Sequence, residues 1–175
     1  MLGEQVMLKL SIRVAVTASL LFGAQTFAAD AVKTLPLDSA IEVAQAAMAS
    51  CKASGYNVTV MVMDPDYATR LVLRSDAAGA RTVEIARRKA YTVLKTGMNS
   101  GDFGKTVPKP EGPAQPRAPG APIPGVNGDD NLITFAGGKQ ILVDGQVVGA
   151  ISVSGAPGGD KDDACVDVGL AKLKK

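Results

Sequence analysis

The sequence predicts an α+β domain in which an antiparallel sheet of five strands is flanked by helices. Three observations lead to this fold class: Ala-rich segments with apolar residues at helical spacing, short β-branched runs that end at turn residues, and an Asp-Gly pair between two apolar runs. The predicted order along the chain is helix, two strands, helix, loop, three strands and helix. Strands joined by short turns are expected to pair in the antiparallel sense.

A first helix is predicted from Leu37 or Asp38 to Ser54-Gly55, because apolar residues recur at the spacing of one helix face. The residues on that face are Ile41, Ala44, Met48 and Cys51. Residues 57–63 are rich in β-branched and Met side chains and are predicted to form a strand that ends at turn residues. A second strand over 69–74 should pair with the first one as an antiparallel hairpin.

A second helix is predicted after Ser75 and Asp76, whose side-chain oxygens can cap its first turn, and it should end at Gly97. Glu84 and Arg88 are spaced for an i,i+4 ion pair on that helix. The apolar face of the helix would consist of Val83, Ala86, Ala90, Val93 and Leu94.

Residues 104–130 should form a long loop, because seven of the ten prolines and five glycines lie in this stretch. The spaced prolines favour extended backbone and leave few amide donors for a helix or a sheet. Three roles remain open for the loop: a flap over a binding site, an arm that binds a partner, or a passive insertion.

Three strands are predicted after the loop, over 132–135, 139–143 and 146–154. Asp144-Gly145 separates the last two strands, and this dipeptide suits a type I′ hairpin turn because both central residues need a positive φ. Gly149 lies inside the last strand, where it permits the close approach of a backbone segment or a helix. A final helix is expected from about Asp160 to Leu173.

Residues 1–28 have the features of a secretory signal peptide, with Lys9 and Arg13 before an apolar stretch and small residues up to Ala28. We expect cleavage after Ala28, which would make the protein periplasmic or secreted. No later segment is long and apolar enough to span a membrane. Export to an oxidising compartment permits a disulfide between Cys51 and Cys165, and two buried reduced cysteines are the alternative.

Composition excludes several classes of protein. The chain has no His, so Ser-His-Asp catalysis, His-ligated zinc and His-ligated haem are excluded. The formal net charge of +2 and the aromatic content of 4% provide neither a basic footprint nor a stacking surface for nucleic acid. No Ser or Thr hydroxyl has a suitable base beside it in the sequence, so no catalytic residue is predicted.

A series of motifs runs through the last third of the chain: Gly137-Gly138, the hairpin at Asp144-Gly145, the run 147–155 and the acidic segment 160–164. Three further segments belong to the same series and lie upstream, at residues 62–64, 73–77 and 88–90. Together, over Leu35 to about Leu173, they resemble the GlcG/HbpS family of haem-binding or haem-degrading-like domains, related to the C-terminal domain of PduO proteins. The resemblance implies a profilin-like sheet, frequent assembly into oligomers and, in several relatives, binding of haem, cobalamin-related compounds or other small ligands.

The predicted binding pocket lies between the second helix, the Gly137-Gly138 turn and the end of the last strand. Its candidate ligand-binding residues are Arg74, Lys89, Gly137, Gly138, Ser154 and Gly155. Arg74 and Lys89 would hold an anionic group, Ser154 would donate a hydrogen bond, and the glycines would permit close approach of the backbone to the ligand.

Haem would need an axial ligand other than His in this chain. The candidates are a free Cys, a weak oxygen donor, Met48, Met61, Met63, Met98, Tyr56, Tyr67 and Tyr91. For Met61 and Met63, the alternative is ordinary core packing. The Gly-rich turn before the last helix suits an anion, but Asp160, Asp162 and Asp163 would repel it and are expected to cap the helix instead.

The leading hypothesis is an exported small-ligand-binding protein of the GlcG/HbpS type, with haem as the expected ligand and a homo-oligomer as the expected state. Two alternatives remain: a small periplasmic enzyme with haem- or metal-assisted oxidative chemistry or a hydroxy-acid substrate, and an accessory subunit of a periplasmic dehydrogenase. In the last case, the Pro-rich loop would be the docking arm. If Arg74 and Lys89 do not bind a ligand, we expect them to be solvated or to pair with Asp76 and Glu84.

Overall fold

The computed structural model describes residues 33–109, 118 and 121–173. The predicted signal peptide and part of the Pro-rich loop lie outside these residues. The elements in chain order are α1 Leu37–Ala53, β1 Thr59–Met63, β2 Thr69–Arg74, α2 Arg81–Thr96, α3 Ser100–Thr106, β3 Gly138–Val143, β4 Gln146–Ser154 and α4 Gly159–Leu170. None of the described helices is long and apolar enough to cross a membrane.

The strands form one antiparallel sheet in the order β2-β1-β4-β3. β1 lies in the centre, and each of its residues is buried, whereas the edge strand β2 is largely exposed. The predicted α+β class with an antiparallel sheet between helices is confirmed, because α1 and α4 pack against one face and α2 packs against the other.

The fifth strand predicted over 132–135 does not form, and the described residues contain four strands. The backbone of this segment bonds to side chains of α2 rather than to a sheet edge. The Ile133 N–H donates to Thr92 Oγ1 at 3.0 Å, and the Leu132 carbonyl accepts from Arg88 Nη2 at 2.7 Å. Leu132 and Ile133 are buried all the same, so the apolar run packs as an irregular segment.

The main core lies between the sheet and the α1/α4 pair. A disulfide between Cys51 of α1 and Cys165 of α4 crosses this layer, with a Cα–Cα distance of 5.5 Å. The predicted disulfide is therefore confirmed, and the alternative of two reduced cysteines is wrong. The fully buried side chains of this core include Val43, Val58, Val60, Val62, Ile141, Val148, Ile151 and Val153.

Two glycine-dependent features are where the sequence places them. Asp144 and Gly145 have φ of 52° and 75°, as a type I′ turn between β3 and β4 requires. Gly149 has φ of 154°, and a Cβ there would lie 2.5 Å from the Met63 carbonyl oxygen. The close approach predicted at Gly149 is thus made by the backbone at the end of β1.

The helix termini differ in part from the prediction. α2 begins at Arg81 rather than after Ser75, because the Ser75 N–H and hydroxyl both donate to the Val58 carbonyl. The helix ends at Gly97, which has a φ of 68°, as predicted. The sequence analysis missed α3, whose seven residues include the first three of the predicted loop 104–130. A helix of seven residues is shorter than the window of about 11–18 residues in which helical periodicity can be recognised.

Candidate functional site

Lys89 is the most deeply buried charged residue of the described chain, with 2% of its surface exposed. Its ammonium donates to Asp162 Oδ2 at 2.7 Å and to the Val153 carbonyl at 2.8 Å. Lys89 thereby joins α2 to α4 and to the end of β4. The expectation that an unliganded Lys89 is solvated, or pairs with Asp76 or Glu84, is wrong.

The acidic residues of α4 hold backbone amides close to Lys89. Asp162 Oδ1 accepts from the Ala156 N–H at 3.0 Å, and Asp163 Oδ1 accepts from the Gly137 N–H at 2.9 Å. Neither carboxylate caps α4, whose N-terminus has no side-chain cap. The predicted capping by Asp160, Asp162 and Asp163 is therefore wrong. Asp162 instead ties the start of α4 to the turn after β4, and Asp163 ties it to the residue before β3.

Burial sets the protonation behaviour of this group. Desolvation lowers the pKa of the Lys89 ammonium, against the opposing charge of Asp162. Desolvation likewise raises the pKa values of the Asp162 and Asp163 carboxyl groups. A pair of this kind is costly to bury, and loss of one partner leaves an uncompensated charge in the core.

The Gly137-Gly138 turn is closely packed against the same group. A Cβ on Gly137 would lie 2.6 Å from Lys89 Nζ, and a Cβ on Gly138 would lie 2.9 Å from the Lys89 carbonyl oxygen. The Gly138 N–H donates to Ser100 Oγ at 2.9 Å. The close approach expected at these glycines is therefore made by α2 of the same chain.

The remaining predicted site residues lie at the same end of the sheet. Arg74 and Ser154 are both register partners of Thr59, so their side chains share one face and lie two strand spacings, about 10 Å, apart. The Arg74 guanidinium donates to the Ala78 carbonyl. A Cβ on Gly155 would lie 2.5 Å from the Asn57 carbonyl oxygen. The roles of all six residues in ligand binding stay a prediction.

The candidate axial ligands of haem are dispersed. Met61 and Met63 are each 2% exposed and pack beneath α2, which confirms the core-packing interpretation. The two cysteines form the disulfide and cannot ligate iron. Tyr67 and Tyr91 stack with ring centroids 5.2 Å apart. The Tyr91 hydroxyl donates to Asp129 Oδ2 at 3.0 Å.

Sequence reasoning did not locate a cleft of about 570 Å³ beside α3. We call it the α3 cleft. Its lining residues are Gly104, residues 107–109, residues 123–127 and residues 133–135. The signal in the sequence was the suggestion that the loop 104–130 could act as a flap over a site, and most of the lining residues do belong to that loop: Gly104, residues 107–109 and residues 123–127.

The α3 cleft is mostly apolar. Its apolar lining residues are Val107, Pro108, Ile123, Pro124, Val126, Ile133 and Phe135. Phe135 is 43% exposed, which is unusual for a side chain of its size. Lys109 supplies the one cationic side chain of the lining. An apolar cleft with few polar groups is the usual form of a small-molecule site.

The cleft walls are held by close backbone packing. A Cβ on Gly104 would lie 2.3 Å from the Thr134 carbonyl oxygen, and one on Gly125 would lie 2.2 Å from the Asp129 carbonyl oxygen. No three His, Cys, Asp or Glu side chains of the described segments come together as a metal site. The arrangement can therefore bind an apolar molecule with an anionic group.

Comparison with known proteins identifies relatives of this chain. The family model for haem-degrading HbpS-like proteins matches residues 35–171. A crystal structure of HbpS is 31% identical, covers 81% of this chain and 92% of its own, and superposes with a TM-score of 0.65. An uncharacterised 15.0 kDa protein from the dhaT-dhaS intergenic region of Citrobacter freundii is 28% identical over 71% of this chain and 82% of that protein.

A crystal structure of a PduOC–haem complex shares the fold, with a TM-score of 0.66 and 20% identity over 81% of this chain and 96% of that chain. The motif series from Gly137 to Ala164 thus identified the relatives correctly. Since the family model covers most of the described residues, this chain belongs to the HbpS-like family.

Proposed function

We propose that this protein binds haem in the α3 cleft, through apolar contacts to the macrocycle and through Lys109 to a propionate. The observation that carries the proposal is a mostly apolar cleft of about 570 Å³ in a chain of the HbpS-like family. Small-molecule sites typically have volumes of roughly 300–1,000 Å³. A PduOC relative with the same fold has been crystallised with haem, which supports the choice of ligand.

The cleft fits the porphyrin ring of haem and its carboxylates better than it fits the iron. Its apolar lining and Lys109 fit the flat macrocycle and its carboxylates. The lining residues that the structure describes include no Met, Cys, Tyr or His, and the whole chain has no His. The residues present therefore do not fit the iron, and we derive no chemistry from it. We infer instead that the protein recognises the tetrapyrrole without ligating its metal.

The test is a titration of the full chain with haem and, separately, with iron-free protoporphyrin IX. Because the cleft offers no usual iron ligand, both compounds should bind saturably with affinities within about tenfold of each other. Absence of saturable binding by either compound would refute the proposed function. Binding of haem without binding of protoporphyrin IX would refute the metal-independent mode.

A variant locates the site. Phe135→Ser removes the large exposed side chain from the cleft and should weaken protoporphyrin IX binding by roughly tenfold, in line with the loss of part of a Phe burial. Val168→Ser is the matched control, because Val168 is 44% exposed and lies on α4. Equal effects of the two substitutions would place the ligand outside the α3 cleft.

The earlier candidates are tested in the same assay. Arg74 is exposed, so Arg74→Ala should leave the fold intact and will show whether the predicted ligand contact exists. We expect Arg74→Ala to leave the affinity for protoporphyrin IX unchanged, because Arg74 is not a lining residue of the α3 cleft. The predicted profilin-like character, the homo-oligomer, the periplasmic enzyme and the dehydrogenase subunit stay predictions.

We also propose that the protein is exported and reaches the periplasm or the medium after cleavage behind Ala28. The features of residues 1–28 and the buried Cys51–Cys165 disulfide support this, since such bridges persist mainly in oxidising compartments. Intact-mass analysis of the cellular fractions should find a chain that begins at Ala29. A full-length chain confined to the cytoplasm would contradict export.

A further inference from the structure

Arg88 of α2 makes an unusual set of hydrogen bonds. Its guanidinium donates to three backbone carbonyls: Ile123 at 2.8 Å, Pro124 at 3.0 Å and Leu132 at 2.7 Å. Arg88 is 4% exposed, and its bond to the Leu132 carbonyl is buried, whereas the bonds to Ile123 and Pro124 are partly buried. One side chain therefore supplies hydrogen-bond donors to the backbone carbonyls of two segments that are not part of the sheet.

Both segments contribute lining residues to the α3 cleft. Ile123 and Pro124 line the cleft from the Pro-rich side, and Leu132 directly precedes the lining residue Ile133. Pro122 and Pro124 have no amide hydrogen, so this wall cannot be secured by an ordinary strand pairing. One planar group therefore bonds to both segments and helps to fix their positions relative to α2.

The charge of Arg88 has no carboxylate partner among the described residues. The nearest acidic residue on the same helix, Glu84, pairs with Arg87 at 2.8 Å instead, which corrects the predicted Glu84–Arg88 ion pair. Arg88 Nε is buried without a hydrogen-bond partner. Burial of a cation without a carboxylate partner costs free energy of folding. We therefore expect the Arg88 side chain to serve mainly in positioning the carbonyls that it bonds.

We propose that Arg88 is the positioning residue that holds two lining segments of the α3 cleft in place and thereby sets the residence time of the ligand. The proposal rests on the proposed function, because it assigns the ligand to this cleft. Lys cannot replace Arg here, since an ammonium lacks the planar fork that reaches several carbonyls at fixed angles.

The experiment compares the full-length protein with Arg88→Ala and Arg88→Lys. In both variants, amide hydrogen exchange should rise over residues 121–133, and the dissociation rate of protoporphyrin IX should increase by about tenfold or more. Arg81→Ala is the control, because Arg81 also donates to a loop carbonyl, that of Ala121 at 2.7 Å, but neither residue lines the α3 cleft.

Chemical rescue separates positioning from general stabilisation. Ethylguanidinium added to Arg88→Ala should restore slow exchange over 121–133 and slow dissociation, whereas ethylammonium should restore neither. Unchanged exchange and dissociation in Arg88→Ala would overturn the proposal. Faster exchange without faster dissociation would overturn it as well, because Arg88 would then order the segment without acting on the ligand.

The two proposals fail in different ways. If the wild-type protein does not bind protoporphyrin IX, the proposed function fails, while the exchange data still report on the bonds that Arg88 makes. If the wild-type protein binds and Arg88→Ala does not fold, Arg88→Lys carries the test, since it keeps the charge and most of the side-chain volume. Wild-type dissociation from Arg88→Lys would then refute the positioning role.

Discussion

The two faces of the sheet are held together by different means. On the α1/α4 face, apolar side chains pack into one large cluster and a disulfide joins the two helices. On the α2 face, the apolar cluster is small, and Arg88, Lys89 and Thr92 hold the neighbouring segments through hydrogen bonds to backbone groups. A rigid layer thus supports a layer whose irregular segments can form a binding site.

Among the substitutions that compare the two faces, Lys89→Ala should cause the largest loss in the free energy of unfolding. Lys89→Ala leaves Asp162 buried and unpaired, so the free energy of unfolding should fall by about 3–5 kcal/mol. Lys139→Ala is the control, because Lys139 pairs at 2.7 Å with an Asp167 carboxylate that is 60% exposed, and its loss should cost less than about 1 kcal/mol. Urea denaturation measures both values. Equal losses would show that the buried pair has no special role.

The disulfide provides the next test. Replacing Cys51 and Cys165 by Ala should lower the free energy of unfolding by about 2–4 kcal/mol, because the bridge closes a loop between residues 114 positions apart. The affinity for protoporphyrin IX should change by less than about twofold in the folded variant, since distant sites act independently. A large loss of affinity would show that the two faces are coupled.

The smallest effect is the response of the α2 face to acid. The backbone N–H of Asn131 donates to Asp129 Oδ1 at 2.8 Å and lowers the pKa of Asp129. A hydrogen bond from the Tyr91 hydroxyl lowers this pKa further. A lowered folded-state pKa means that this contribution to stability is present above about pH 4 and is lost as the pH falls through the folded value.

Asp129→Asn should therefore remove part of the loss of stability below about pH 4, as measured by the pH dependence of the denaturation midpoint. The buried Asp162 behaves in the opposite sense, because its raised pKa makes folding more favourable as it takes up a proton. A wild-type pH profile in the Asn variant would contradict the role of the Asp129 carboxylate.

The sequence was sufficient where the structural cause is local. Asp144-Gly145 defines its own turn, and the flanking apolar runs define β3 and β4, so this hairpin was predicted to within one residue. The segment 132–135 was mistaken for a strand because its partners, Arg88 and Thr92, lie about 40 positions earlier in the chain. Apolar content predicted the burial of the segment but not which groups its backbone bonds to.

The candidate site divides in the same way. The family resemblance singled out Lys89 and Gly137-Gly138, which do lie together. The sequence does not show that the Lys89 ammonium is already paired with the Asp162 carboxylate. The α3 cleft was missed because its walls depend on carbonyl oxygens, and every residue type has one.

The order of the strands also governs how the protein is made. β1 pairs with β4, so the centre of the sheet joins residues 59–63 to residues 150–154, which are synthesised some 90 residues later. A nascent chain that has reached only the Pro-rich segment contains three helices but only β1 and β2 of the four strands. The sheet is therefore completed only after β4 has been synthesised, because its centre depends on a pairing between residues distant in the chain.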